Sequence, residues 1–490
     1  MMSNLTLTPL ATINSANTPS GLTALQRAYA LYRSGGGFFV IDLQQLADVQ
    51  AGKRSEVEFF KKQDAEILLK RFLENQAIAC ELKLTITQFW ANPKTLVFDA
   101  VAFSPIPQPA STINYWVEPT AKPRAGNCDI LKAFLLNIIC AGSSVTYSYL
   151  LRYLAHMLQQ PEEKPGVIIV LLGGQGTGKG TFFRLLRAIW GRTTIQVSDI
   201  QEVIGQFNAV LERHFVVCMD EALFSGDKKA LDRLKSLVTE PTCRIEQKYQ
   251  PARTIDSYHR FFAASNHDHF AHVEQDDRRF VFLRVSDDAK GNHRFFSQLS
   301  KAIDDPDVID ALVYELINLD ITQFNVRQKP QNTEQVFQKL RSLEGFSRFW
   351  FEVLTSGSLT GRNDYRSAWG GRIFIPTATL ISNYTNFDKR AEWYRKVQQD
   401  ALEREFNRLC PSARYDRHQD KHHGQRRGWW LPDLVSARRE FEQCIGGPVD
   451  WPADAGTTVG LDTDTLDVYW AGREPAKHSV ADILDAWDQE

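Results

Sequence analysis

No apolar run in this 490-residue sequence is long enough to cross a bilayer. The strongest, Val167 to Leu172, has the length of a buried strand. The start of the chain lacks the basic residues and unbroken apolar stretch of a signal peptide, so a cytoplasmic location without a membrane partner is expected. Cysteine is sparse. Cys80, Cys128, Cys140, Cys218, Cys243, Cys410 and Cys444 are odd in number, scattered, and never form a CxxC, which argues against a disulfide framework or a zinc ribbon. An excess of charge is missing too. Lys and Arg number 57 against 59 Asp and Glu, so any contact with nucleic acid must come from a local patch.

What is present is the composition of a soluble globular protein, 43% hydrophobic and 24% charged, at a length that calls for more than one core. Residues 1–20 are rich in Thr, Ser, Asn and Pro without periodicity and read as disordered. Residues 21–125 read as a mixed α/β accessory region. Helical spacing runs over 22–33 up to Gly35-Gly36-Gly37, and then come a strand-like FFVIDL, a charged helix around 56–79 and a strand at Leu96–Phe103. Asp42 and Asp99 fall on such strands and read as structural, so no primase chemistry is expected here. Residues 126–162 read as a helical collar. From 163 to 325 apolar strand-like runs at 167–172, 194–197, 215–219 and 260–264 alternate with helices, the pattern of a parallel sheet covered on both faces. Residues 335–447 carry helices near 337–355, 377–385 and 391–409, a polar hairpin around Lys421–Gly424 and a helix from Asp433, which is compatible with a winged helix. The stretch 448–490 reads as an acidic, flexible tail.

The chemistry centres on VIIVLLGGQGTGKGTFFRLLRAIW. An apolar strand enters Gly173, Gly174, Gln175, Gly176, Thr177 and Gly178, then Lys179, Gly180 and Thr181, and an amphipathic helix follows. Glycines let the backbone curl so that its N–H groups line a nest for phosphate oxygens, and the helix N-terminus adds its positive dipole end. Lys179 supplies a point charge for the β- and γ-phosphates of ATP. The position after this lysine, where Ser or Thr usually holds Mg²⁺, is Gly180, which moves the hydroxyl to Thr181. A second buried strand, HFVVCMDEA, ends in Asp220-Glu221. Asp220 is placed for the Mg²⁺ shell and Glu221 to orient the attacking water. A third, RFFAASN, ends in Asn266, a candidate γ-phosphate sensor. Arg278 and Arg279 precede the apolar run FVFLRV, where an arginine can reach the nucleotide of a neighbouring subunit, or instead pair with Asp276 or Asp277.

This order of motifs resembles the superfamily three helicases, in particular the ATPase module of phage and poxvirus primase–helicases, over about residues 165–285. The segment CRIEQKYQPARTIDSYHRFFAASN is similar to the matching stretch of parvovirus Rep helicases. Weaker similarity to phage primase–helicases extends to NPKTLVFDAVAFSP, INYW and WWLPDLVSARREFE. The resemblance implies a modified AAA+ fold, homo-hexameric rings, ATP and Mg²⁺, and translocation on single-stranded or forked DNA. It also implies a primase or polymerase partner, a bacterial host cytosol, a channel-facing DNA contact at Lys248, and an arginine finger at Arg278 or Arg279.

Two other functions fit the residues. GKGT also occurs in P-loop kinases of small molecules, which Glu221, Asn266 and the arginine pair oppose. A nucleotide-switched assembly or defence ATPase that binds DNA without unwinding it would share every ATPase residue. His267, His269 and His272 read as polar loop residues rather than metal ligands. In RYDRHQDKHHGQRRGWW the basic residues fit either phosphate contact or a solvated hairpin, and Trp429 and Trp430 are expected in a local core.

Overall fold

The computed structural model describes residues 20–54, 57–221, 228–246, 252–266, 277–330, 333–359, 369, 371–387, 399–420 and 424–452. The chain begins with α1 (Gly21–Ala28), capped by the Ser20 hydroxyl, which accepts the Thr23 N–H at 3.3 Å. The helix expected over 22–33 stops there. At Tyr29 the backbone becomes extended, and β1 (Tyr29–Ser34) pairs antiparallel with β2 (Gly37–Asp42). Gly35 and Gly36, both at positive φ, make the two-residue turn that brings Ser34 opposite Gly37. Pairing across that turn overrides the helical spacing of YALYR.

Asp42 caps α2 (Leu43–Gln50), accepting the Gln44 N–H at 2.7 Å. After it come α3 (Lys62–Asn75), shorter than the helix expected over 56–79, and α4 (Leu82–Ala91). The single strand expected at Leu96–Phe103 is two: β3 (Val97–Phe98) joins β1, and β4 (Ala100–Ala102) joins β5 (Thr112–Asn114). Asp99, between them, pairs with Arg33 at 2.9 Å. Next, α5 (Asp129–Ala133) runs into a π-helical turn at Phe134–Ile139, and α6 (Ser144–Gln159) follows.

The centre of the molecule is a five-stranded parallel sheet. Its strands are β6 (Ile168–Leu172), β7 (Thr194–Val197), β8 (Val216–Met219), β11 (Arg260–Ser265) and β12 (Phe280–Arg284), in the order β12-β6-β11-β8-β7. The helices of this unit are α7 (Lys179–Trp190), α8 (Gln201–Ile204), α9 (Lys228–Thr239), α10 (His293–Asp304) and α11 (Pro306–Asn318). Strand side chains alternate between two cores. Ile169, Leu171, Phe262 and Val281 join Phe182, Phe183, Leu186 and Ile189 of α7 and the collar helices. Ile168, Val170, Phe261 and Phe280 join Leu231 and Leu234 of α9. Both faces are therefore covered, which is why these strands read as continuous apolar runs. Between α9 and β11 stands an antiparallel hairpin, β9 (Thr242–Ile245) and β10 (Arg253–Asp256).

Arg260, wholly buried at the start of β11, ties this unit to the collar. Its guanidinium donates to the carbonyls of Tyr258, Gln160, Pro161 and Glu163 at 2.6–3.2 Å and lies 4.9 Å above the Phe215 ring. A buried cation is tolerable only with such a set of acceptors. This one anchors the turn between α6 and β6.

The last unit holds α12 (Thr333–Arg341), α13 (Gly345–Ser356), β13 (Ile373–Pro376), α14 (Thr377–Phe387), α15 (Gln399–Leu409), β14 (Arg414–Asp420), β15 (Gly424–Leu431) and α16 (Leu434–Ile445). The helix expected near 337–355 is thus two helices. The sheet order is β13-β15-β14, antiparallel throughout, and Ile375, Trp429 and Leu431 pack on a separate core with Trp350, Phe406 and Phe441. The tail boundary moves outward. Val449 N–H and Trp451 Nε1–H both donate to Glu442 Oε1, at 3.0 and 2.9 Å, so the first residues after α16 are packed. No helix among the described residues is long and apolar enough to span a membrane.

Candidate active site

In a parallel sheet every strand ends at the same edge, and at its carboxyl edge this sheet gathers its polar residues. The loop from Gly173 to Gly178 leaves β6 there and enters α7 at Lys179. Gly176 and Gly178 have φ of +81° and +108°, a region that disfavours side chains. At Gly178 a Cβ would also lie 3.2 Å from the Phe134 ring and 3.3 Å from that of Phe296. Gln175 and Gly176 stand exposed at the loop tip, and Thr177 is buried with its hydroxyl donating to the Gly174 carbonyl at 3.0 Å.

Lys179 is also buried, and its ammonium donates to the carbonyls of Gly173 and Gly174, both at 2.7 Å. The cation thus curls back across the mouth of its own loop. Burial holds its pKa below the ordinary lysine range, opposed by the nearby carboxylates of Asp220, Asp287 and Glu221. Gly180 faces open space, with no atom within 4 Å of where a Cβ would stand, so crowding does not require glycine there. Thr181 is half-buried and sits one residue, about 100°, further round the helix.

Asp220 follows β8. Its Oδ2 accepts from Gln196 Nε2 at 2.8 Å and its Oδ1 from the Glu221 N–H at 3.1 Å. Glu221 is exposed and has φ +53°, one of three non-glycine residues at positive φ among those described. Such a conformation costs on the order of 1 kcal/mol and recurs where a side chain must be aimed. Asn266, exposed, follows Ser265, whose carbonyl accepts the Gly173 N–H at 3.3 Å, so it stands next to the start of the loop.

The structure therefore brings Gly173 to Thr181, Asp220, Glu221 and Asn266 to one edge. It does not bring Arg278 and Arg279 there. Phe280 is level with Ile168, so both arginines precede β12 at the amino edge, a strand length or roughly 16 Å from the loop of the same chain. Arg279 is engaged locally: its N–H donates to Asp277 Oδ1 at 2.8 Å, and its guanidinium lies 4.0 Å from the buried Oδ2, which Lys235 approaches to 3.2 Å. Arg278 is exposed, with no acceptor among the described residues. Lys248 lies outside the described residues, as do His267, His269 and His272; the arms β9 and β10 flank the position of Lys248.

Two residues at this edge are not singled out by the sequence. Asp287 Oδ1 and Lys290 Nζ each lie 3.5 Å from where a Cβ of Gly174 would be. They belong to SDDAKGN after β12, which by composition is an ordinary charged turn. Its proximity to the loop follows from β12 lying beside β6, which sequence does not reveal.

The class this architecture defines is an α/β protein built on a five-stranded parallel sheet, with a glycine-rich strand–loop–helix beginning on β6. The same fold is found in the apo structure of the NrS-1 C terminal region, at a TM-score of 0.60 and 15% identity over 84% of this chain and 97% of that one. The A form apo structure of that region gives 0.58 and 15%, over 84% and 98%. In sequence, the chain is 28% identical over 168 residues to the DNA primase-polymerase of Nitratiruptor phage NrS-1, a match covering 34% of this chain and 23% of that protein. The chain thus matches less than a quarter of that relative's length. Residues 171–279 match the family of unknown function DUF5906, a span that opens inside β6, before the glycine loop, and closes on the second of the two arginines.

Proposed function

We propose that this protein is an ATP hydrolase that moves on DNA during phage replication, working as a ring of identical subunits, a hexamer, with DNA unwinding as its output. The observation that carries the proposal is the meeting, at one sheet edge, of the glycine loop with Lys179 and of the Asp220–Glu221 pair. The residues fit a nucleoside triphosphate. Backbone curvature at Gly176 and Gly178 and the start of α7 provide N–H donors for the β- and γ-phosphates, and Lys179 exchanges its two carbonyl acceptors for phosphate oxygens. Mg²⁺ would be held by Asp220, with Thr181 in a supporting place, and its chemistry is to neutralise charge on the phosphates. Glu221, exposed beside Asp220, orients water toward the γ-phosphate, and Asn266 senses that phosphate.

A β12-β6-β11-β8-β7 order with the loop leaving β6 supports an AAA+-like reading of the core, and the α13–β13–α14–α15–β14–β15 succession supports a winged-helix reading of the last unit. The exposed Arg278 lies too far from its own loop to act there, and we propose that it serves a neighbour's, which is the reason for proposing a ring. The phage setting, and work alongside a primase or polymerase, are proposed from the likeness to the NrS-1 protein. Lys248, which lies in sequence between β9 and β10, is proposed as a DNA contact.

The test measures phosphate release with and without single-stranded DNA, together with particle mass and displacement of a strand from a fork. Stimulated hydrolysis, a ring, and displacement that disappears in Lys179→Ala are expected. A protein that stays monomeric with nucleotide and DNA, and hydrolyses ATP no faster for the DNA, would overturn the motor reading. In mixed rings Arg278→Ala subunits are expected to poison wild-type neighbours; a simple dilution of activity would remove the arginine from that role.

A further inference from the structure

The outer face of the β13-β15-β14 sheet carries a second feature that the sheet-edge site does not use. Trp429 and Trp430 separate: Trp429 points into the core at 1% exposure, whereas Trp430 points to the opposite, open face. There Phe374 and Trp430 lie 5.3 Å apart, Phe374 and His418 4.9 Å, and His418 and Trp430 5.0 Å, all three half-buried. Arg372 stands over the Trp430 ring at 5.3 Å. Three rings and a guanidinium make a platform open to solvent on a surface where an isolated protein would ordinarily place polar side chains.

Charge around the platform points the same way. Residues 414–431 hold five Lys and Arg against two carboxylates, Asp416 and Asp420, in a chain whose net charge is −2. Asp416 is engaged with the Arg417 N–H at 2.7 Å. The exposed guanidinium groups of Arg417, Arg426 and Arg427 meet no acceptor among the described residues. The pairing sets Arg426 opposite His418 on the face of Trp430, and Arg417 opposite Arg427 on the face of Trp429. Like charges directly opposite each other weaken a two-stranded ribbon. On the platform's own face the cations beside the rings include Arg426 and Arg372, with Asp416 on the same face.

We infer that this outer face binds single-stranded nucleic acid, with bases stacking on Trp430, Phe374 and His418 while Arg372 and Arg426, on the same face, meet the phosphates. Flat rings interleaved with cations suit a flexible strand with exposed bases better than an acidic protein, which would use the cations and leave the rings idle. The surface lies apart from Lys179 and Lys248 in sequence and needs no nucleotide. The inference extends the DNA-acting reading to a second contact whose failure is separately readable.

The test uses the full chain carrying Lys179→Ala, without ATP, and a fluorescein-labelled thymidine oligonucleotide of about 30 residues. Anisotropy is read across a salt series and tryptophan emission is followed in parallel. Trp430→Ala is expected to weaken binding about tenfold, while Trp430→Phe, which keeps a ring, retains most of it. Arg372→Glu with Arg426→Glu should lower the salt slope by roughly 0.7 for each phosphate that is no longer neutralised. Circular dichroism of each variant checks folding. Unchanged affinity and slope in both variants would overturn the inference, as would absence of oligonucleotide binding or preferential binding of a polyglutamate chain. In the chain with Lys179 intact, ATP hydrolysis that DNA does not stimulate, alongside this binding, would count against the motor alone.

Discussion

The molecule contains two sheets that expose chemistry in opposite ways. The parallel sheet is covered on both faces, so its strands are wholly apolar and its polar residues collect where the strands end. In the antiparallel sheet Ile375, Trp429 and Leu431 face a core, while Phe374, His418 and Trp430 lie together on the other face. An edge site is assembled from segments far apart in sequence, here from residues 173, 220, 266 and 287. A face site comes largely from one hairpin. Substitutions should therefore separate: at the edge, changes of polar side chains act on reaction and barely on folding, while at the face the outcome depends on which side of the strand is changed.

The largest expected contrast is at the edge. Lys179→Ala should lower ATP turnover by about 10³-fold, and Glu221→Gln by about 10²-fold, with unfolding midpoints near wild type. A turnover within threefold of wild type for either would break the edge reading. Next come the adjacent tryptophans. Trp429→Ala removes a filled core position and should cost about 3–5 kcal/mol in chemical unfolding, whereas Trp430→Ala should cost under about 1 kcal/mol. Equal losses would mean that the outer face is a second core.

Within the loop the contrast narrows to single glycines. Gly178→Ala, at φ +108° and against two rings, should cost about 1–3 kcal/mol and impair nucleotide binding. Gly180→Ser enters open space on a helix and should fold like wild type. Comparing its Mg²⁺ requirement with that of Thr181→Ala shows which position the metal favours.

The last effect concerns pH. His156 is buried with neither ring nitrogen hydrogen-bonded, and burial pushes its pKa down to about 4. The unfolded chain takes up a proton near pH 6.5 and the folded one does not. Its contribution is thus complete above pH 6.5 and disappears as pH falls toward 4, reaching about 2 kcal/mol of lost stability at pH 5. His259, pushed down to about 3 by the same cause, adds in the same direction. His156→Phe should flatten the pH dependence of urea unfolding between pH 7 and 5, and an unaltered slope would exclude this histidine as the source.

The sequence reveals the edge better than the flanks, for physical reasons. Strands buried on both faces announce themselves as unbroken apolar runs, and the residues after each run are set at the edge by the parallel arrangement. That is why Lys179, Asp220, Glu221 and Asn266 are accessible from spacing alone. Asp287 and Lys290 are not, because their nearness to Gly174 depends on which strands are neighbours. The helix expected over 22–33 fails at Tyr29 because a turn at Gly35-Gly36 makes strand pairing available to residues that also carry helical spacing. The WW pair cannot be divided by composition. Only register with β13 and β14 tells one ring from the other.

Phe134 belongs to the π-helical turn of the collar, yet it presses on Gly178. With the Phe296 ring bearing on the same point, the backbone has little slack there. The loop and the amino-terminal region are in effect geared together. A shift of the loop backbone at Gly178 would therefore have to displace the Phe134 ring of the collar as well.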